Sequence, residues 1–178
     1  DLALICDKVG ADVVEIADSM GYDPRIGPLF LRAGAGWGGS CFTKDVKALC
    51  AIGRDVGVSV HVAKAALARN EDQRLEIVRR VVAATGGVAA SVAILGCAFK
   101  PGTDDVRDSP AVAVARELLA FGCQVCLYDP MAAALRGAVA ASAVAVAVGH
   151  AASDIRRPSW ALTTEAALRD REARVAVV

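Results

Sequence analysis

The segment Gly34-Ala-Gly-Trp-Gly-Gly-Ser-Cys41-Phe-Thr-Lys44-Asp45 concentrates residue types that do chemistry. Glycines at 34, 36, 38 and 39 permit positive φ and let backbone approach a ligand closely. Cys41 falls at the expected start of a helix. There the helix dipole and free N–H groups lower a thiol pKa and can hold an oxyanion. If the helix begins at Cys41, Lys44 and Asp45 share its face. A thiolate with a cation beside it and a carboxylate nearby suits covalent catalysis on a carbonyl, with Asp45 as proton carrier. The same residues also fit a plainer role: a glycine-rich loop, a structural thiol and a solvated charge pair. The glycine pattern is not a dinucleotide fingerprint. That motif follows a strand and opens a helix, whereas this one follows the loop residues Ile26 to Ala33.

A second segment, Phe99-Lys-Pro-Gly-Thr-Asp-Asp-Val-Arg-Asp-Ser-Pro110, follows an apolar run that reads as a strand. Ligands of open parallel sheets bind outside the strands' carboxyl ends. Lys100 and Arg107 are placed to meet phosphates there, helped by the helix start at Ser109. A charged surface loop is the alternative.

The elements that must position these residues follow from periodicity. Leu2, Ile5, Cys6, Val9, Val13, Ile16, Ala17 and Met20 recur at helical spacing, and Gly10-Ala-Asp12 interrupts them. Two short helices result, with Asp12 as N-cap of the second. Residues 24 to 40 hold few helix formers and read as a long loop, and loops of that length in compact domains are usually functional. Helices are expected over Thr43–Gly53 and Val60–Ala84, the latter stopped by Gly86-Gly87. Val92–Phe99 reads as a buried strand. Ser109-Pro110 caps and opens a helix over Ala111–Phe121, and Gly122 stops it. Gln124–Tyr128 reads as a second strand, so this stretch is one βαβ unit with parallel strands. Met131 to Ala152 is rich in Ala and Val and fits neither pattern clearly. Glu165–Asp170 reads as a short helix and Arg174–Val178 as a strand.

The chain has 178 residues, 55% hydrophobic and 22% charged, with 20 basic and 20 acidic side chains. That composition excludes disorder, and zero net charge argues against a nucleic-acid surface. The longest weakly polar run is too short to span a bilayer. No secretory pattern opens the chain, and its first residues lie in mid-pattern, so Asp1 is not expected to be a native start. Of the six cysteines, Cys123 and Cys126 have CxxC spacing but lie in a strand, where positions three apart face opposite sides. No metal site is expected. Free thiols point to a reducing, cytoplasmic setting.

Together, Gly-x-Gly-x-Gly-Gly-Ser-Cys-Phe-x-Lys-Asp and Leu-Gly-x-Ala-Phe-Lys-Pro-Gly-Thr-Asp-Asp-x-Arg-x-Ser-Pro resemble the UDP-glucose/GDP-mannose dehydrogenase family. Asp23-Pro-Arg-Ile-Gly-Pro28 is similar to its UDP-glucose 6-dehydrogenase branch. The resemblance covers residues 1 to about 130. It implies an α/β chain: a central helical dimerisation domain over 1–88 bearing the cysteine loop, then a C-terminally incomplete, Rossmann-like UDP-binding domain over 89–178. It also implies an NAD-binding domain, and a Lys and an Asn near the sugar, lying before Asp1.

By the same resemblance Cys41 is the nucleophile and Asp45 positions or activates water. Lys44 and Arg107 contact NAD. Phe30, Leu31, Arg32, Ala33, Gly34, Gly38 and Lys100 contact the UDP-sugar, and Arg25 reaches the sugar site of a second subunit in a homodimer. The implied reaction oxidises UDP-glucose to UDP-glucuronate, in the service of polysaccharide synthesis, through thiohemiacetal and thioester intermediates on the cysteine. Relatives acting on GDP-mannose or UDP-N-acetylmannosamine share this chemistry. Thr43 stands where the family more often has Pro, and Trp37 where it has Tyr or Phe. Two other readings compete. One is a non-catalytic module that dimerises and binds nucleotide sugar. The other is a thiol hydrolase, which would need His61 or His150 as a base beside Cys41.

Overall fold

The computed structural model describes residues 1–86, 90–129, 131, 144–148 and 174–177, the last two stretches by their backbone. The backbone divides into two compact units, Asp1–Gly34 and Ala35–Val178.

The first unit is a helical pair followed by loop. Helix α1 spans Leu2–Val9 and α2 spans Val13–Gly21. Gly10 ends α1 in the left-handed conformation (φ 71°), which glycine adopts without steric cost. The Asp12 carboxylate accepts from the Val14 N–H at 2.7 Å and so caps α2, as its position predicts. From Tyr22 to Cys41 no helix or strand forms. The break begins at Gly21, where an added Cβ would come within 3.0 Å of Pro28 Cα.

In the second unit α3 spans Phe42–Asp55 and α4 spans His61–Thr85. Strand β1 (Ser91–Leu95), helix α5 (Pro110–Ala120) and strand β2 (Gln124–Asp129) form the expected βαβ unit. The two strands are parallel, with Val92 opposite Val125 and Ile94 opposite Leu127. Strand β3 (Val144–Val148) joins β2 and strand β4 (Arg174–Val177) joins β1, both parallel. The sheet order is β3-β2-β1-β4. Strand succession therefore reverses direction at β1, and crevices beside such a switch point are where open α/β sheets bind ligands.

One face of β1 and β2 supplies Val92, Ile94, Val125 and Leu127 to the core. Val114, Ala115 and Leu118 of α5 and Val78 and Val81 of α4 pack into the same cluster. Each fully buried Val, Ile or Leu there contributes about 1.5–3 kcal/mol. Ser109 caps α5 by accepting from the Val112 N–H at 3.4 Å, and Pro110 takes the first helical position.

The structure shortens one expectation. Strand β1 stops at Leu95 instead of running to Phe99, because Gly96 takes φ 89° and turns the chain. It also resolves part of the ambiguous Ala/Val-rich stretch, since Val144–Val148 alternates as a strand should. Gly87, Pro130, His150, the Glu165–Asp170 helix and the remainder of 132–173 lie outside the described residues.

Candidate functional site: a cysteine loop packed on a phosphate-type loop

The two motifs singled out by sequence meet in space. Gly39 N–H donates to the Arg107 carbonyl at 3.0 Å. A Cβ on Gly38 would lie 2.4 Å from the Asp108 carbonyl oxygen, and one on Gly39 (φ 86°) 2.8 Å from the Phe99 ring. These contacts leave no room for side chains, so the glycines serve close packing of loop on loop.

Cys41 is exposed and stands at the N-cap position of α3. The helix starts one residue later than the shared-face expectation assumed, and the Asp45 N–H donates to the Cys41 carbonyl at 2.9 Å. Ser40 Oγ lies 3.8 Å from the Cys41 sulfur. Lys44 and Asp45 are exposed and 3.6 Å apart, an ion pair of small energetic weight. Arg107 is bound at 2.7 Å by Asp105. That hydrogen bond chiefly raises the Arg107 pKa, and the thiolate charge of Cys41 adds to the rise. A cation therefore sits within electrostatic reach of the thiol, and it belongs to the second motif. Asp105 in turn is held down to about 2 by Arg107.

A cavity of about 400 Å³ opens beyond the ends of β1 and β2. Gly96, Phe99, Lys100, Thr103 and Asp129 line it, and Ala35 and Gly36 of the cysteine loop close it. The Lys100 ammonium sits 5.3 Å from the Phe99 ring centroid. Buried Asp129 shapes the floor, its carboxylate accepting from the N–H groups of Cys97 at 2.7 Å and Ala98 at 2.9 Å. The first turn after β1 is thus held open by β2's last residue.

The structure thus brings Gly38, Cys41, Lys44, Asp45, Lys100 and Arg107 into one compact unit. Arg25 and the run from Phe30 to Gly34 belong to the other. Within that unit Arg25 pairs with Asp23 at 2.5 Å and Arg32 with Asp18 at 3.2 Å. The Arg25 side chain is 87% exposed. Phe30 takes φ 64° and is fully exposed, a costly pose for an aromatic residue. Leu31 and Ala33 line a separate apolar cavity with Ile16 and Met20.

Sequence reasoning missed Asn70 and Arg74. Both are buried on α4, and both hold the cysteine loop. The signal was present: they fall on the stripe Leu67, Asn70, Arg74, Val78, Val81, where a core helix would carry apolar residues. His61 is exposed in the first turn of α4. Cys123 is buried in the core and Cys126 half-buried on the opposite face of β2, so the CxxC sulfurs diverge. Among the described residues no cluster of His, Cys, Asp and Glu could hold a metal ion, and no helix is long and apolar enough to cross a membrane.

A parallel sheet with a crevice beyond the ends of β1 and β2, lined also by Ala35 and Gly36 of the glycine loop that carries Cys41, defines an open α/β class of protein. The model of the central domain of the UDP-glucose/GDP-mannose dehydrogenase family matches residues 1–72, and that of the family's UDP binding domain matches residues 93–178. The chain belongs to the UDP-glucose/GDP-mannose dehydrogenase family. It is 45% identical over 133 residues to a UDP-glucose 6-dehydrogenase of Bacillus subtilis, covering 74% of this chain and 29% of that protein. It is equally similar, over 132 residues, to a UDP-glucose 6-dehydrogenase of Rhizobium meliloti, covering 73% of this chain and 30% of that one. A solved UDP-glucose dehydrogenase from Pyrobaculum islandicum superposes with a TM-score of 0.74 at 40% identity, covering 79% of this chain and 33% of that one. A GDP-mannose dehydrogenase from Pseudomonas aeruginosa superposes less closely, with a TM-score of 0.55 at 29% identity, covering 74% of this chain and 30% of that one. The chain spans under a third of the length of the curated relatives it matches.

Proposed function

We propose that this chain is the thiol-bearing and UDP-sugar-binding part of an NAD-dependent UDP-glucose 6-dehydrogenase. The observation that carries the reading is the junction of the two motifs: the loop bearing Cys41 closes the cavity lined by Phe99 and Lys100, and its Gly39 N–H donates to the Arg107 carbonyl at 3.0 Å. The identities to UDP-glucose 6-dehydrogenases favour glucose over the mannose and N-acetylmannosamine alternatives.

In this reading the UDP portion occupies the cavity, with its negative charge toward Lys100. Gly38 flanks the sugar, and Arg25 serves the site of a second copy in a homodimer. The sugar's C6 alcohol is oxidised to an aldehyde. The Cys41 thiolate adds to that carbonyl carbon and gives a thiohemiacetal. A second oxidation gives the thioester, and water, positioned by Asp45, releases the carboxylate and returns the thiol.

NAD, when bound, supplies the acceptor for the two hydrides. The residues present fit a supporting share in holding it: Lys44 and Arg107 are exposed cations suited to a pyrophosphate, at the loop that carries the thiol. The turn after β1, Gly96-Cys-Ala-Phe-Lys-Pro-Gly102, carries no dinucleotide fingerprint. The reading therefore places the dinucleotide fold in a further domain of the polypeptide. It also places the reaction in a reducing cytoplasm, where an exposed reactive thiol stays free.

Calorimetry with UDP tests the binding half. Heat of binding that is lost in Lys100→Ala is expected, and no heat with the parent protein would overturn the assignment of the cavity. A second reading is a binding and dimerisation module without turnover. Supplying NAD and UDP-glucose to the full-length protein separates the two.

A further inference from the structure

Four residues from three segments close a ring around the cysteine loop. Trp37 Nε1 donates to Thr43 Oγ1 at 3.2 Å, and Thr43 Oγ1 donates to Asp108 Oδ2 at 2.6 Å. Arg74 Nη2 donates to Asp108 Oδ1 at 3.0 Å and to the Trp37 carbonyl at 3.2 Å. The ring therefore returns to its starting residue. Trp37 and Thr43 bracket Cys41, so the same ring pins the short span that carries the thiol at both ends. Trp37 also meets the Phe42 ring edge to face, with centroids 5.3 Å apart.

Two features show that the ring is held at a cost. Asp108 takes φ 50°, a left-handed pose that non-glycine residues seldom adopt. The Arg74 side chain is only 9% exposed, and its Nε is buried with no hydrogen-bond partner among the described residues. A core helix gains more from an apolar residue at such a position, and the guanidinium there orients Asp108 and the Trp37 carbonyl.

We propose that Arg74, Asp108 and Thr43 are positioning residues that set where the Cys41 sulfur stands relative to Arg107 and the nucleotide cavity. Asp108 adjoins Arg107 in sequence, so the residue that fixes Thr43 also fixes the backbone of the thiol's neighbouring cation. The pairing depends on both side chains: Trp37 supplies the indole N–H that begins it, and Thr43 the hydroxyl that relays it.

The proposal rests on the reading of Cys41 as the reactive thiol, and its test separates the two. In the full-length protein, Thr43→Val removes both hydroxyl bonds and Thr43→Ser keeps them; Asp108→Asn is the companion variant. Measured are amide exchange over residues 38–42 and over β1, the alkylation rate of Cys41, and kcat against KM. Expected in Thr43→Val and Asp108→Asn is exchange faster by about tenfold at 38–42, with β1 unchanged. The Cys41 alkylation rate shifts, kcat falls more than KM rises, and Thr43→Ser restores parent values. Parent exchange and alkylation in both variants overturn the proposal, as does equal acceleration in β1, which would make the ring a general structural support. Local loosening with unchanged turnover upholds the ring and counts against the nucleophile assignment alone.

Discussion

Asn70 and Trp37 hold each other by two hydrogen bonds across 33 residues of sequence: the Trp37 N–H donates to Asn70 Oδ1 at 2.8 Å, and Asn70 Nδ2 donates to the Trp37 carbonyl at 3.2 Å. The amide thereby satisfies a loop backbone that has no strand or helix to pair with. It also explains Gly36, where an added Cβ would sit 2.4 Å from the same Oδ1. Asn70→Ala leaves the half-buried Trp37 N–H without this partner, and a loss of about 1–3 kcal/mol is expected. Denaturant unfolding of the variant against the parent measures it.

Gly39→Ala is expected to cost more than about 1 kcal/mol, because alanine resists a positive φ. Its methyl would also meet the Phe99 ring at 2.8 Å. Thermal unfolding reads the loss, and Trp37 fluorescence reads the displacement of the loop.

The thiols should separate by burial. Desolvation, with Asp129 adding to it, pushes the Cys97 thiol up from 9.0 to about 12. Cys41 is exposed. Native alkylation at pH 8, followed by peptide mass spectrometry, should label Cys41 and spare Cys97. Cys97 keeps its proton in the folded state above the pH at which the unfolded chain loses it. Its contribution to stability is therefore complete below pH 9 and disappears as pH rises toward 12.

Asp105 behaves oppositely. The hydrogen bond from the Arg107 side chain, aided by the Arg107 N–H, lowers its carboxyl from 3.8 to about 2. The favourable pair is complete above pH 3.8 and is lost as pH falls through about 2. Carbon-detected NMR titration of the Asp105 carboxyl should give that midpoint. Asp105→Asn frees the Arg107 side chain, and tighter inorganic phosphate binding at the loop is the expected consequence.

Much of this arrangement was legible before folding was considered. Asp12 and Ser109 announce their helices because a cap needs a particular side chain at a particular place, and both caps form. The βαβ unit followed from apolar runs punctuated by Gly and Pro, and its parallel pairing formed. Cys41 and Arg107 were each singled out by local chemistry, but their nearness was not, because it depends on two loops packing through glycine. Asn70 and Arg74 escaped notice because a buried polar residue on a helix declares itself only when its partners arrive from elsewhere. The departures at Trp37 and Thr43 read as neutral in sequence and proved to be bonded to each other.

Cys41→Ser in the full-length protein, given UDP-glucose and NAD, tests the central claim most directly. If Cys41 forms the covalent intermediate, the parent shows a mass increment on the peptide containing Cys41 under single turnover, and the variant loses both that increment and steady-state release of UDP-glucuronate. Parent-rate turnover in Cys41→Ser, with no adduct on the cysteine peptide of the parent, would contradict it.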